Sequence, residues 1–235
     1  MQKIHENPMR CSVCGGQSFT AHPVLWPALI NEWQLSDIEA AYIDRQQGET
    51  CNGCGSNLRS ISLSDALLSY LGFGGTLRQA TQVAAAQALR LLELNEAGNL
   101  SPVLRAFGGY AFGAYPEVDM HSIPFANETF DVVVHSDTLE HVPHPVHALA
   151  ECRRVLKRGG ALCFTVPVIV GRMSRDRSGL SKSFHGSPAT AVDDYAVQTE
   201  FGADAWTYVM QAGFTKLSIH AVAYPAAIAF AALKD

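Results

Sequence analysis

The sequence is poor in charge and has no long apolar run. Charged residues make up only 17% of its 235 residues. No stretch approaches the roughly 20 consecutive apolar residues that a membrane-spanning helix needs, so no membrane partner is expected. The N-terminus lacks a charged-then-apolar signal pattern, and the expected location is cytoplasmic. Basic residues do not dominate either: 17 Lys and Arg stand against 22 Asp and Glu, a net charge of −5. That balance argues against a general nucleic-acid surface. Lys157, Arg158, Arg172, Arg175, Arg177 and Lys182 make the later half locally basic, and they read first as solvated loop residues. What is present is an ordinary globular composition, 48% hydrophobic. The length suits one α/β domain with a small appendage.

Cysteine is scarce and unevenly used. Four of the six form two C-x-x-C pairs, Cys11/Cys14 and Cys51/Cys54, separated by 36 residues. Each pair is followed by glycine, which permits the tight turn that points two thiolates at one ion. Two such knuckles supply four sulfurs for a tetrahedral, closed and therefore structural zinc site. Disulfides are the competing reading, disfavoured by the missing secretion signal. Trp26, Leu29, Ile30 and Trp33, between the knuckles, either pack on this ribbon or line an active-site mouth. Cys152 and Cys163 sit in apolar segments and read as buried thiols.

The most informative stretch runs from Pro124 to Pro167, PFANETFDVVVHSDTLEHVPHPVHALAECRRVLKRGGALCFTVP. Val132-Val133-Val134 suits a strand buried on both faces of a parallel sheet. Pro145 fits a first helical turn, and Leu149, Cys152 and Leu156 recur at helical spacing. Lys157, Arg158 and Gly159-Gly160 read as the helix stop. Ala161 to Val166 is a second strand. Together they predict one right-handed βαβ unit.

This stretch resembles the middle of a class I S-adenosylmethionine-dependent methyltransferase, with its PF-x-x-x-x-FD, D-x-LEHV and RVLK-x-GG phrases. The Cys54-Gly55-Ser56-Asn57-Leu58-Arg59 run and EFGADAW, followed by Ala212-Gly213-Phe214, resemble the same group. The resemblance implies an α/β, Rossmann-like sheet with a small N-terminal zinc ribbon. Residues 1–62 would be the ribbon and 63–235 the methyltransferase domain. After a ribbon helix capped by Ser64 or Asp65, an alanine-rich helix is expected over Thr76 to Arg90, then a strand over Leu91 to Asn95. Here the family keeps an acid followed by G-x-G-x-G, whereas this chain has Glu93, Asn95, Ala97 and a lone Gly98. Those small residues could still allow close backbone approach to the cofactor. The next strand, Tyr110 to Tyr115, lacks its terminal acid. Glu117 is the nearest substitute, and Asp119-Met120 match the pair beside the adenine. There is no room for a third strand before Asp119, so the sheet should be one strand short.

The implied methionine end is approached by His135, Ser136 and Asp137. Candidate bases are His185, His141 and Asp137. Val168 to Asp194 reads as an irregular substrate cover, and Lys216 to Ala223 with Ala226 to Leu233 as a closing hairpin. Methyl transfer from a sulfonium needs alignment, and a proton acceptor when the nucleophile is a hydroxyl. The implied activity is O-methylation of a small molecule or saccharide, with S-adenosylmethionine and structural zinc bound. The alternatives are a binding or regulatory protein that has lost turnover, and an RNA or protein methyltransferase that uses the ribbon for recognition.

Overall fold

The computed structural model describes residues 9–184 and 193–235. The elements in chain order are β1 (Phe19–Ala21), α1 (Pro27–Glu32), α2 (Asp37–Gly48), β2 (Glu49–Cys51) and α3 (Leu58–Leu71). Two single turns follow, α4 (Leu77–Ala80) and α5 (Ala84–Gln87), then β3 (Arg90–Leu94), α6 (Ser101–Leu104) and β4 (Gly109–Gly113). The second half holds β5 (Phe130–Ser136), α7 (Pro145–Val155), β6 (Leu156–Thr165), β7 (Val168–Ile169), β8 (Arg175–Asp176) and β9 (Thr199–Gly202). It closes with α8 (Trp206–Gln211), β10 (Lys216–Val222) and β11 (Ala227–Leu233).

Six strands form the main sheet in the order β10-β11-β6-β5-β3-β4. The pairs β3–β4, β3–β5 and β5–β6 are parallel, and β11 enters antiparallel between β6 and β10. This is the expected α/β, Rossmann-like sheet, with six strands. Val132 and Val134 pack with Leu91, Ala161 and Cys163 on the face covered by α3. Val133 packs with Leu92, Leu162 and Phe164 on the face covered by α7 and α8. The apolar run is buried on both sides, as a parallel strand requires.

The helix α3 starts earlier than the sequence suggests. Its cap is Asn57, whose side-chain oxygen accepts from Ser60 N at 2.9 Å. The expected domain boundary at 62/63 therefore falls inside one continuous helix. That helix buries Leu58, Ile61, Leu63 and Leu67 completely, at about 1.5–3 kcal/mol each. The alanine-rich segment does not make one helix over 76–90. Thr76 caps a single turn, and the chain breaks again before β3. Leu156 also leaves its helix: α7 ends at Val155, and Lys157 is drawn into β6 by Asp131, which it meets at 2.8 and 2.9 Å. The C-terminal hairpin, β10 with β11, forms where the sequence places it.

Between the cysteine pairs, α1 and α2 make an insert capped by Ser36, whose hydroxyl accepts from Glu39 N while Glu39 reaches back to Ser36 N. Beyond β6, the small sheet β7-β9-β8 forms an arm over the C-terminal ends of β5 and β6. No helix among the described residues is long and apolar enough to cross a membrane.

Candidate functional site

The two knuckles bring Cys11, Cys14, Cys51 and Cys54 together, with all four sulfurs within 4.8 Å of one another. Cys11 and Cys54 stand 3.6 Å apart, and Cys14 and Cys51 3.7 Å. Four sulfurs each about 2.3 Å from a central ion would be separated by about 3.8 Å, so the spacing fits a tetrahedral metal cage. It is far beyond the roughly 2 Å of a disulfide, and all four thiols are free. The glycines are required here. Gly15 and Gly55 have φ of +87° and +74°, and a Cβ on Gly16 would meet Cys51 Sγ at 2.8 Å. The thiolate set leaves no position for a reacting group, so such a metal would be structural.

The second cluster lies at the C-terminal end of β3. Glu93 is fully buried, and its carboxylate accepts from Ala97 N at 2.8 Å, Ser101 Oγ at 2.5 Å and Tyr110 Oη at 2.5 Å. Burial, with the neighbouring carboxylate, pushes the Tyr110 hydroxyl up to about 12, so it remains a donor. The acid thus folds the loop 95–100 over itself. Asn95 takes φ +56°, a left-handed conformation that Asn tolerates, and its Oδ1 accepts from Tyr115 N at 3.1 Å. Gly98, at φ +58°, faces open space: a Cβ there would meet nothing within 4 Å. That open cradle at a strand end fits close approach of a nucleoside cofactor despite the missing glycines. Asn99 ties the loop to the ribbon by donating to Gly55 O at 2.5 Å.

The third cluster lies at the end of β5. Asp137, at φ +45°, forms an ion pair with Arg59 from the first turn of α3. Its other oxygen accepts from Thr165 Oγ1 at 3.2 Å, and Thr165 meets Ser136 Oγ at 2.8 Å. Glu140, 1% exposed, sits beside them. Burial pushes its carboxyl up to about 8, opposed by its own backbone amide and the Arg59 charge. Burial likewise draws Arg59 down to about 10. His141 Nε2 lies 3.7 Å from Glu140 Oε1, while its Nδ1 faces Ala196 O at 3.4 Å. Burial lowers the His141 pKa. A neutral ring donating from Nδ1 leaves the Nε2 lone pair on the side of Glu140, 3.7 Å from its Oε1.

The remaining sequence candidates scatter. Glu117 is exposed. Asp119 accepts from His121 N at 2.8 Å and meets its Nδ1 at 3.0 Å. Met120 is buried among Leu92, Leu94 and Phe130. His135 is fully buried and stacks on Phe164 at 4.9 Å, with no hydrogen-bond partner at either ring nitrogen. Burial lowers its pKa to about 3. His185 lies outside the described residues. Sequence reasoning assigned no site role to Arg59, Glu140 or Tyr110. The signals for Arg59 and Glu140 were their places in the CGSNLR and TLEHV phrases, and Tyr110 carried none.

A cleft of about 610 Å³ opens between the first turn of α7 and the arm, lined by His144, His147, Asp176, Thr199 and Tyr208 among others.

Comparison with known proteins is consistent with this geometry. A family model described as Methyltransferase domain matches residues 53–164, just under half of the chain. An uncharacterized methyltransferase of Mycobacterium marinum is 32% identical over 79 residues, covering 34% of this chain and 31% of that protein. One of Mycobacterium avium matches with the same identity and coverage. The chain thus spans about a third of the length of the curated relatives it matches. Among solved structures, the trans-methyltransferase CalH in complex with SAH is 16% identical, with TM-score 0.46, over 87% of this chain and 60% of that one. The DszA carbon methyltransferase is 15% identical, with TM-score 0.46, over 75% and 53%. A SAM-dependent methyltransferase from Thermotoga maritima is 14% identical, with TM-score 0.39, over 74% and 92%.

Proposed function

We propose that this chain, which carries a Methyltransferase domain over residues 53–164, transfers a methyl group from S-adenosylmethionine to a small hydroxylated acceptor. The observation that carries the reading is the meeting of two clusters at the C-terminal ends of adjacent parallel strands. The Glu93-folded loop ends β3, and the Arg59–Asp137–Glu140 group ends β5. Open α/β sheets bind ligands at such strand ends.

The sulfonium, when bound, supplies a methyl group that needs no acid to depart. The protein's own part is placement. Asn95, Ala97 and Gly98 would hold the nucleoside end through close backbone approach, with Asp119 near its base and Ser136 near the methionine end. Asp137 is committed to Arg59 and serves as an anchor. Neutral His141, beside the protonated Glu140, would accept a proton from an acceptor hydroxyl. A cleft of about 610 Å³ is of a size for small-molecule sites, and its mixed lining, with Pro143, Pro145 and Val146 beside His144, His147 and Asp176, suits a small molecule or saccharide that has both an apolar face and hydroxyls. Cys11, Cys14, Cys51 and Cys54 would hold a structural zinc ion.

Calorimetric titration with S-adenosylmethionine tests the reading. Saturable heat at micromolar concentration is expected, and none at high micromolar would sink it. The lone Gly98 favours a second reading, binding without turnover. Heat on titration with no methyl transfer to any hydroxylated acceptor pool would select that reading.

A further inference from the structure

The segment between the two cysteine pairs grips the arm that walls the cleft. Arg172 leaves the arm and places its guanidinium on the insert. Nε and Nη2 meet the two oxygens of Glu39 at 2.7 and 2.8 Å, Nη1 donates to Trp33 O at 2.9 Å, and Nη2 to Gln34 O at 2.7 Å. A guanidinium fork satisfied by a carboxylate and two carbonyls is a geometric lock that lysine cannot copy. Three more contacts repeat the joint. Val170 N donates to Tyr42 Oη at 3.1 Å, and Trp33 Nε1 donates to Ser183 Oγ at 2.7 Å. Arg177 lies over the Trp33 ring, 5.8 Å from its centroid.

The arm in turn reaches the Glu140 backbone and the His141 ring. Arg175 and Arg177 both hold Glu200 on the neighbouring strand. Gln198 N, just before that strand, donates to Glu140 O at 2.7 Å, and Ala196 O faces His141. Asp176 on β8 and Thr199 on β9 line the cleft. Both ends of the insert are fixed at the cysteine cage, since β1 and β2 pair beside Cys51.

We propose that Arg172 is a positioning residue through which the ribbon insert sets the arm against Glu140 and the cleft, so that loading of the four-cysteine cage governs the shape of the acceptor site. The proposal rests on the methyltransferase reading for what the cleft accepts. The ribbon is then a brace for the site, and no separate recognition module is needed to explain its presence.

Hydrogen exchange on the zinc-loaded full chain tests it, with S-adenosylmethionine calorimetry run in parallel. In Arg172→Ala, exchange at the amides of Val170, Gln198 and Ala203 should rise by about tenfold or more, while Leu92 and Val133 in the sheet stay protected. Arg172→Lys keeps the charge but not the fork and should restore little of that protection, whereas Glu39→Gln, which leaves the donations to Trp33 O and Gln34 O in place, should raise arm exchange less than Arg172→Ala does. Stripping zinc with a chelator should raise arm exchange in the unmodified chain and add little in Arg172→Ala. Unchanged arm exchange in Arg172→Ala, or no effect of chelation on the arm, overturns the proposal. Absence of heat with S-adenosylmethionine would overturn the methyltransferase reading alone, because exchange of the arm is measured without cofactor.

Discussion

Arg59 and Asp137 form an ion pair between the first turn of α3 and the loop that ends β5, joining the ribbon side of the chain to the centre of the sheet. The pair is mostly buried, with side-chain exposures of 18% and 10%. Breaking such a pair leaves a charge without its partner. Arg59→Met should cost about 3 kcal/mol of stability, because the Asp137 carboxylate is then left mostly buried without its cation. The double variant Arg59→Met/Asp137→Asn should lose less than the single one. Urea unfolding of both, read as a change in midpoint at constant slope, checks the order. Equal losses would mean that the pair is not coupled.

Glu140 makes stability depend on pH. Its folded pKa, about 8, lies above the ordinary carboxyl value of 4.5. Between these values the folded chain holds a proton that the unfolded chain has released, so stability falls as pH rises through this window. The limiting slope is about 1.4 kcal/mol per pH unit. Glu140→Gln keeps the shape and removes the titration. It should flatten the fall between pH 4.5 and 8 and unfold at higher denaturant than the parent at pH 8. Coincident pH profiles for the two proteins would refute this assignment.

His135 gives the opposite limb. Its folded pKa, about 3, lies below the ordinary 6.5, so the unfolded chain takes up a proton first as pH falls. Stability is present above 6.5 and is lost progressively towards 3. The ring is buried with neither nitrogen partnered. His135→Leu should therefore remove two unsatisfied polar atoms, stabilise by about 1–2 kcal/mol at pH 5, and shift acid unfolding to lower pH. Thermal scans across pH 4–7 would show it. A drop in melting temperature at pH 5 would point instead to lost stacking on Phe164.

These residues show where the sequence could and could not be read. Local pattern carried the Val132–Val134 strand, the closing hairpin and the two knuckles, because each depends on neighbours in the chain, whereas the expected helix stop at Lys157 to Gly160 lies inside β6. The helix 76–90 failed for a local reason: Thr76 and Gln79 cap one another and close a single turn, and alanine propensity could not carry the chain further. Leu156 failed for a distant one, since Asp131 pairs with Lys157 across 26 residues and pulls the helix end into strand. The Arg59–Asp137 pair and the Arg172–Glu39 lock lie 78 and 133 residues apart in the chain. Nothing in local periodicity marks such partners. His135 sits at a strand end where the pattern promises exposure towards ligand, yet its alternation places it on the face of Val133, against Phe164.

Glu93 sets the conformation of the loop 95–100 at the end of β3. Its carboxylate is held by three donors, a backbone amide and two hydroxyls, and the Arg105 charge acts on it from beside Tyr110. Removing it strands two buried donors, Ala97 N and Ser101 Oγ, and frees the partly buried Tyr110 hydroxyl, so Glu93→Ala should cost about 2–4 kcal/mol. Glu93→Gln should be milder, about 1 kcal/mol. The amide oxygen can still accept from Ala97 N and Ser101 Oγ, and its nitrogen can donate to a Tyr110 hydroxyl that rotates to accept. Tyr110→Phe removes one donor of the three and should fall near Glu93→Gln. If the folded loop is what replaces the missing glycines, the losses in S-adenosylmethionine affinity should follow the same ranking, measured by calorimetry on variants that remain folded. A Glu93→Gln protein that is stable but binds as tightly as the parent, beside a Tyr110→Phe protein that binds far more weakly, would break that ranking. The hydroxyl would then matter to the cofactor directly and the loop conformation would not be the cause.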